Sequence, residues 1–165
     1  ARDYRVEYEA GRLSHTARRI MDAMIDQHPQ YTRELRANVF MLEPATTREV
    51  ERAMAELQQG LWLVKSEERY EPTFSYRWDL LEAWLPGPVA EGRRLSRATA
   101  VERVIERYAR GAVFTTERDL ARLFGIARDE VARAVSKLCR TTALRADCVV
   151  DGWPGRWVIH ALGTR

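Results

Sequence analysis

Apolar residues recur along this chain at a spacing that switches from helical to strand-like, and the order of the switches is written twice. Near the start, Ala17, Ile20, Met21 and Met24 stand at the positions of one buried helix face, with Ser14 available as a cap. TRELRANVF, residues 32 to 40, reads as a short second helix. Thr46 with Glu49 three residues on makes a capping box for a third helix, whose face is Val50, Ala53, Met54 and Leu57 and which Gly60 should stop. LWLVKS and TFSYRWD then read as paired strands around the turn EERYEP, and a last short helix, DLLEAWL, carries Trp84 towards the loop PGPVAEGRRL, residues 86 to 95.

The same order returns beyond that loop. Ser96 caps a helix with Val101, Val104, Ile105 and Tyr108 on one face, ended by Gly111. Thr116 with Asp119 starts a short helix carrying Leu120, Leu123 and Phe124, closed by Gly125. A third helix follows on the seam Val131, Ala134, Val135 and Leu138, and ALRADCVV and RWVIHAL flank the turn DGWPG as a hairpin. Three helices and a hairpin, with a tight glycine turn between the last two helices, describe a winged helix-turn-helix. The expected fold is therefore α+β and helix-rich, two such units in tandem, residues 1–88 with their short C-terminal helix and residues 89–165. Trp84 and Leu85 have no seam of their own to fill, so burial of the DLLEAWLPGPV connection is expected.

Charge divides the two halves. Residues 1–88 hold 12 Lys+Arg against 15 Asp+Glu, a net of −3, whereas residues 89–165 hold 15 against 9, a net of +6. The basic half suits a polyanion, and the acidic half argues against uniform coating of nucleic acid. With 45% hydrophobic residues and no apolar run of membrane-spanning length, the chain reads as a cytoplasmic protein without a membrane segment. Cys139 and Cys148 fall in an expected helix and an expected strand, so neither a disulfide framework nor a zinc site is indicated. His15, His28 and His160 are too scattered for a metal, the glycines are dispersed singly, and no cofactor is expected.

The third helices differ in what they offer a partner. Outside its seam, the one in the second half presents Arg128, Arg133, Ser136, Lys137 and Arg140, with Arg133, Ser136 and Arg140 on one stripe. In a helix-turn-helix this helix enters the major groove, where arginine bonds guanine and lysine meets phosphate. The alternative is a solvated face with pairs such as Glu130 with Arg133. Arg145 and Arg156 on the strands and Trp153 at the tip extend the candidate surface, since a wing can reach the minor groove. Trp153 is expected to fold back on its hairpin, and Trp157 to join the core. The helix over 46–59 has Arg48 and Arg52 but also Glu49, Glu51 and Glu56, which repel phosphate, so residues 1–88 are expected to scaffold or to bind another part of the protein.

REVERAMAELQQGLWLVKSEERYEPTFSYRWDLLEAWLP, residues 48 to 86, together with ERVIERYARGAVFTTERDLARLFGI, resembles the C-terminal tandem winged-helix region of AlkZ-type DNA glycosylases and their shorter relatives. The shared features are an ELQ-containing helix and an apolar strand, then Y-x-W-D-L leading to W-L-P, then D-L-A-x-x-F-G, in order through residues 12 to 162. The resemblance implies a repair-associated lineage that excises alkylated bases and unhooks crosslinks with a Gln-x-Gln pair. That pair is missing here: Gln27 and Gln30 are separated by His28 and Pro29, and Gln58 adjoins Gln59. The chain starts at Ala1 with RDYRVEYEAG, which reads as extended, and without an initiator methionine, as a fragment would; if it is one, any catalytic group of an N-terminal portion lies outside this sequence. Glu67, Glu68 and Glu71, clustered on an expected turn, read as a solvated tip rather than an acid–base pair.

The reading that follows is a double-stranded DNA-binding module, non-catalytic by itself. The alternatives are a DNA glycosylase acting through residues the sequence does not identify, and a transcriptional regulator or protein-interaction scaffold.

Overall fold

Polar side-chain caps start five of the described helices in the computed structural model, which describes residues 3–42 and 45–161. The chain divides into two compact units, Ala1–Ala90 and Glu91–Arg165.

In the first unit, α1 (Tyr4–Glu9) starts where the Asp3 carboxylate accepts from the Arg5 backbone, and α2 (His15–Asp26) where Ser14 Oγ accepts from Ala17. β1 (Gln30–Tyr31) leads directly into α3 (Thr32–Leu42), and α4 (Thr47–Gln59) begins in a complete Thr46–Glu49 capping box. β2 (Leu63–Arg69) and β3 (Ser75–Leu80) pair antiparallel, and β1 adds to the far edge of β3, giving the order β1-β3-β2. Ile20, Met24, Leu35, Val39 and Leu57 form the centre of the core, which Trp62, Leu63 and Trp78 close from the hairpin side. α5 (Leu81–Trp84) follows, and α6 (Pro86–Arg94) carries the chain from the first unit into the second.

Four expectations change here. RDYRVEYEA, read as extended, holds α1: the helix is too short to show a period, and Tyr4 anchors it by burial and by donating to Asp22 Oδ1 at 2.5 Å. The stretch read as a loop is mostly α6, because Pro86 sits in a first turn that needs no N–H and Arg93 and Arg94 suit the last turn. Trp84, expected to be buried, is 46% exposed. The hairpin turn is shorter than expected, since Glu67 and Glu68 lie within β2 rather than on the tip.

The end of α4 is also built differently from the expectation. Gly60 keeps a right-handed conformation, and Leu61 takes the left-handed one at φ 55, so that the Trp62 N–H can donate to Leu57 O at 2.9 Å. Gly60 serves the close approach of Trp62, whose Cδ1 would lie 2.7 Å from a Cβ placed there. α2 and α3 are joined by Gln30, which is 1% exposed. Its Nε2 donates to Ala23 O at 3.0 Å and to Gln27 O, and its Oε1 accepts from Asn38 Nδ2 at 2.7 Å, so one side chain satisfies carbonyls at the end of α2 and an amide of α3.

The second unit has the same succession. α7 (Arg97–Gly111) is capped by Ser96, β4 (Phe114–Thr115) follows, and α8 (Glu117–Phe124) is capped by Thr116, whose Oγ1 accepts from Asp119 N. Gly125, at φ 61, turns the chain into α9 (Arg128–Arg140). β5 (Leu144–Val150) and β6 (Trp153–His160) form the hairpin, and β4 pairs with β6 to give the order β4-β6-β5. Val101, Ile105, Leu120, Val131, Val135, Leu138 and Leu144 form the core.

Two expected seams are displaced. Val104 and Tyr108 are 40% and 36% exposed, with Ala109 buried in their place, and Leu123 and Phe124 are exposed while Ala121 is buried. The physical reason is that α8 packs on α9 and α7 packs on α9 and β6, leaving the flanks of α7 and α8 that carry these residues uncovered. Trp153 pairs with Val150 inside β6 rather than capping the turn, and it is 56% exposed even though its ring meets Phe114 and Trp157. Trp157 is half-buried in that aromatic cluster and is no part of the core. Among the described residues no helix is long and apolar enough to cross a membrane.

Gly60→Ala should lower stability by about 1–3 kcal/mol, because a Cβ must displace the Trp62 ring from a packed site. A thermal or urea melt reads this directly, and an unchanged midpoint would show that the ring has room to move. Gln30→Met should cost about 1–3 kcal/mol by orphaning the Asn38 amide and the Ala23 carbonyl. Replacing Asn38 by Leu in the same chain should recover part of the loss, since the amide left without a partner is then gone.

Candidate nucleic-acid interface

α9 is oriented by its core residues. Val131, Ala134, Val135 and Leu138 are buried, which turns Arg133, Ser136, Lys137 and Arg140 outward. These four line one groove of about 540 Å³ with Ala98, Val101 and Glu102 of α7. Within it Arg140 Nη1 donates to Ser136 Oγ at 2.9 Å, which braces the guanidinium without neutralising it.

Arg128 and Arg156 belong elsewhere. They line a second cleft of about 480 Å³, between the start of α8 and the hairpin, together with Thr116, Arg118, Asp147 and Trp157. Arg156 Nη1 donates to Asp147 O across the hairpin at 3.1 Å. Arg145 lies on β5 opposite Ile159, exposed, and Trp153 stands on β6 against Phe114 at 5.3 Å. Seven of the eight sequence candidates therefore separate into a groove on α9, a cleft at the helix starts, and an aromatic cluster on the sheet, while Arg145 stands exposed on β5.

Carboxylates occupy much of the basic stripe. Arg133 pairs with Asp129 at 2.7 Å one turn back, and Lys137 Nζ lies 2.8 Å from the Glu102 carboxylate on α7. The expected partner of Arg133, Glu130, is instead held by Arg97 through two bonds of 2.7 and 2.9 Å, because the packing of α7 on α9 brings that arginine to it. Arg97 holds the Glu130 carboxyl, and Arg133 that of Asp129, below the usual carboxylate range, so both stay ionised at neutral pH.

The corresponding helix of the first unit spends its carboxylates on structure. Glu49 closes the capping box, and its carboxyl is lowered by the Thr46 N–H and hydroxyl. Glu51 pairs with Arg36 at 3.4 Å, and Glu56 accepts from both the backbone N and Oγ of Ser14, tying α4 to the start of α2. Gln58 turns back to its own helix, donating to Met54 O at 3.2 Å. On the hairpin, Glu67 accepts from Arg77 and Glu68 from the Tyr70 hydroxyl, while Glu71 lies exposed beyond the end of β2.

Three groups of this surface were missed in the sequence: Arg97, Glu102 and Arg118. Glu102 stands 35 positions from Lys137, and only the packing of α7 on α9 brings them together. Arg118 had a readable signal, since the Thr116 cap places it in the first turn of α8.

A family model described as AlkZ related matches residues 1–125. No curated protein and no solved structure matches the chain. The matched stretch takes in the first unit and the second as far as the Gly125 turn, ending before α9 and its hairpin. With well over half its length matched, the chain belongs to the AlkZ-related family.

Proposed function

We propose that this chain is a tandem winged-helix module that binds double-stranded DNA through its second unit, within a repair-associated, glycosylase-like cytoplasmic protein. The winged-helix reading is supported by the order helix, short strand, two helices and hairpin in each unit, with the short strand on the far edge of the second hairpin strand. Duplex DNA is favoured by one observation above others. The polar stripe of α9 faces outward because its opposite stripe is buried, in the half of the chain with a net charge of +6. The first unit, with its carboxylates engaged in caps and ties, scaffolds or meets a protein partner or a further domain.

Non-catalytic action is supported by the state of Gln30. Its amide is wholly engaged between α2 and α3, so it is not available to a flipped base. Base excision also needs a pocket and groups that steady an oxocarbenium ion, and the glutamates of the hairpin have other partners. An abasic-site assay on alkylated duplex separates this reading from a glycosylase. A protein-interaction scaffold is the second alternative, favoured by the exposed face of Val104, Tyr108 and Phe124 beside Arg103 and Arg107.

Binding to duplex should weaken when Arg133, Lys137 or Arg140 is changed to alanine, and much less when Arg48 and Arg52 are changed. Three phosphate contacts give a slope of log affinity against log salt of about −2.7, at about −0.9 per contact. A titration across salt concentrations measures both quantities. Greater loss from the Arg48 and Arg52 changes would place the reading head in the first unit, and absence of binding at low salt would favour the scaffold.

A further inference from the structure

The basic stripe of α9 is closed by the unit's own carboxylates. Lys137 Nζ is 2.8 Å from Glu102, and Arg133 Nη1 is 2.7 Å from Asp129. The two carboxylates are not equivalent. The Glu102 side chain is only 16% exposed and stands beside Val101, which is buried in the core, so α7 holds it in place and water screens it little. Asp129 is 67% exposed and reaches Arg133 from one turn away, the arrangement of a weak surface pair.

We infer that Glu102, and to a smaller degree Asp129, act as built-in competitors for phosphate, holding Lys137 and Arg133 neutralised until a polyanion displaces them. The inference rests on the duplex-DNA reading of the same helix. A phosphate that reaches Lys137 must replace a carboxylate already in contact, so that contact returns less free energy than one to an unpaired lysine. Among the described residues neither Arg140 nor Arg128 makes an ion pair: Arg140 is braced by a neutral hydroxyl, and Arg128 lines the second cleft. Ligands that engage these two residues as well are therefore favoured, and Glu102, which lines the same groove, sets how much a ligand gains from Lys137.

Anisotropy titration of a short labelled duplex at about 0.15 M salt, where charges further than a Debye length are screened, tests this. Glu102→Gln should tighten binding about two- to fivefold, the worth of one such pair, and Asp129→Asn less. Glu106→Gln removes the same charge from α7 where Arg110 is the partner, and it should leave affinity unchanged. In a Lys137→Ala background the Glu102→Gln gain should vanish. A gain that persists in that background, or an equal gain from Glu106→Gln, would overturn the inference in favour of bulk charge. Thermal melts establish that each variant is folded, and the exposed Asp129→Asn change provides a second arm if Glu102→Gln disturbs the packing of α7. If the unaltered chain binds duplex and Glu102→Gln brings no gain, the inference falls while the DNA reading stands. Failure of every variant to bind at low salt removes both.

Discussion

A two-residue strand between the first and second helices of each repeat holds the architecture together. β1 pairs with β3 through Gln30 and Tyr31 opposite Trp78 and Arg77, and β4 pairs with β6 through Phe114 and Thr115 opposite Ile159 and Val158. A hairpin by itself is marginal in water, and a third strand anchored to helices at both ends gives it a fixed seat. In the first unit Gln30 adds a clasp at the same point, joining the end of α2 to α3. In the second unit Thr115 is buried at the pairing and Phe114 lies edge-on to Trp157 at 4.7 Å.

That seat determines which helix surfaces remain for a partner. Once the sheet covers one end of the helices, α9 presents a single free stripe, and its neighbour across the groove is α7. Charge on the stripe is then a property of two helices rather than one, because Glu102 and Arg97 from α7 meet Lys137 and Glu130 from α9. α4 has a comparable position in its own repeat, but Glu49 and Glu56 are committed to capping and to Ser14. The two third helices thus share a frame while their polar atoms do different work, one holding structure and the other leaving Arg140 and Ser136 outward.

Much of this was legible along the chain. The caps at Ser14, Thr46, Ser96 and Thr116 are local interactions within three residues, and the seams of α2, α4 and α9 follow from the helical repeat. The AlkZ-related kinship was legible too, in Y-x-W-D-L and D-L-A-x-x-F-G. The short strands were not, because two residues carry no period and acquire strand geometry only from a partner more than forty positions away. Val104, Tyr108, Leu123 and Phe124 looked like seam positions, yet periodicity reports that a face is apolar and not that another helix covers it.

The sequence by itself determined where most helices begin, which stripes are apolar, the succession of elements in each repeat, and the division of charge between the halves. These are properties of neighbours within a turn or two, or of composition, and need no knowledge of distant residues. Tertiary structure alone decided that Leu61 rather than Gly60 reverses the chain after α4, since the approach of Trp62 fills the space beside the glycine. It alone decided that Glu102 and Arg97 of α7 meet Lys137 and Glu130 of α9. These ion pairs form between side chains that packing brings within about 4 Å, where Coulomb energy is appreciable, and separation along the chain says nothing of that distance, unlike the Asp129–Arg133 pair one turn apart on the same helix.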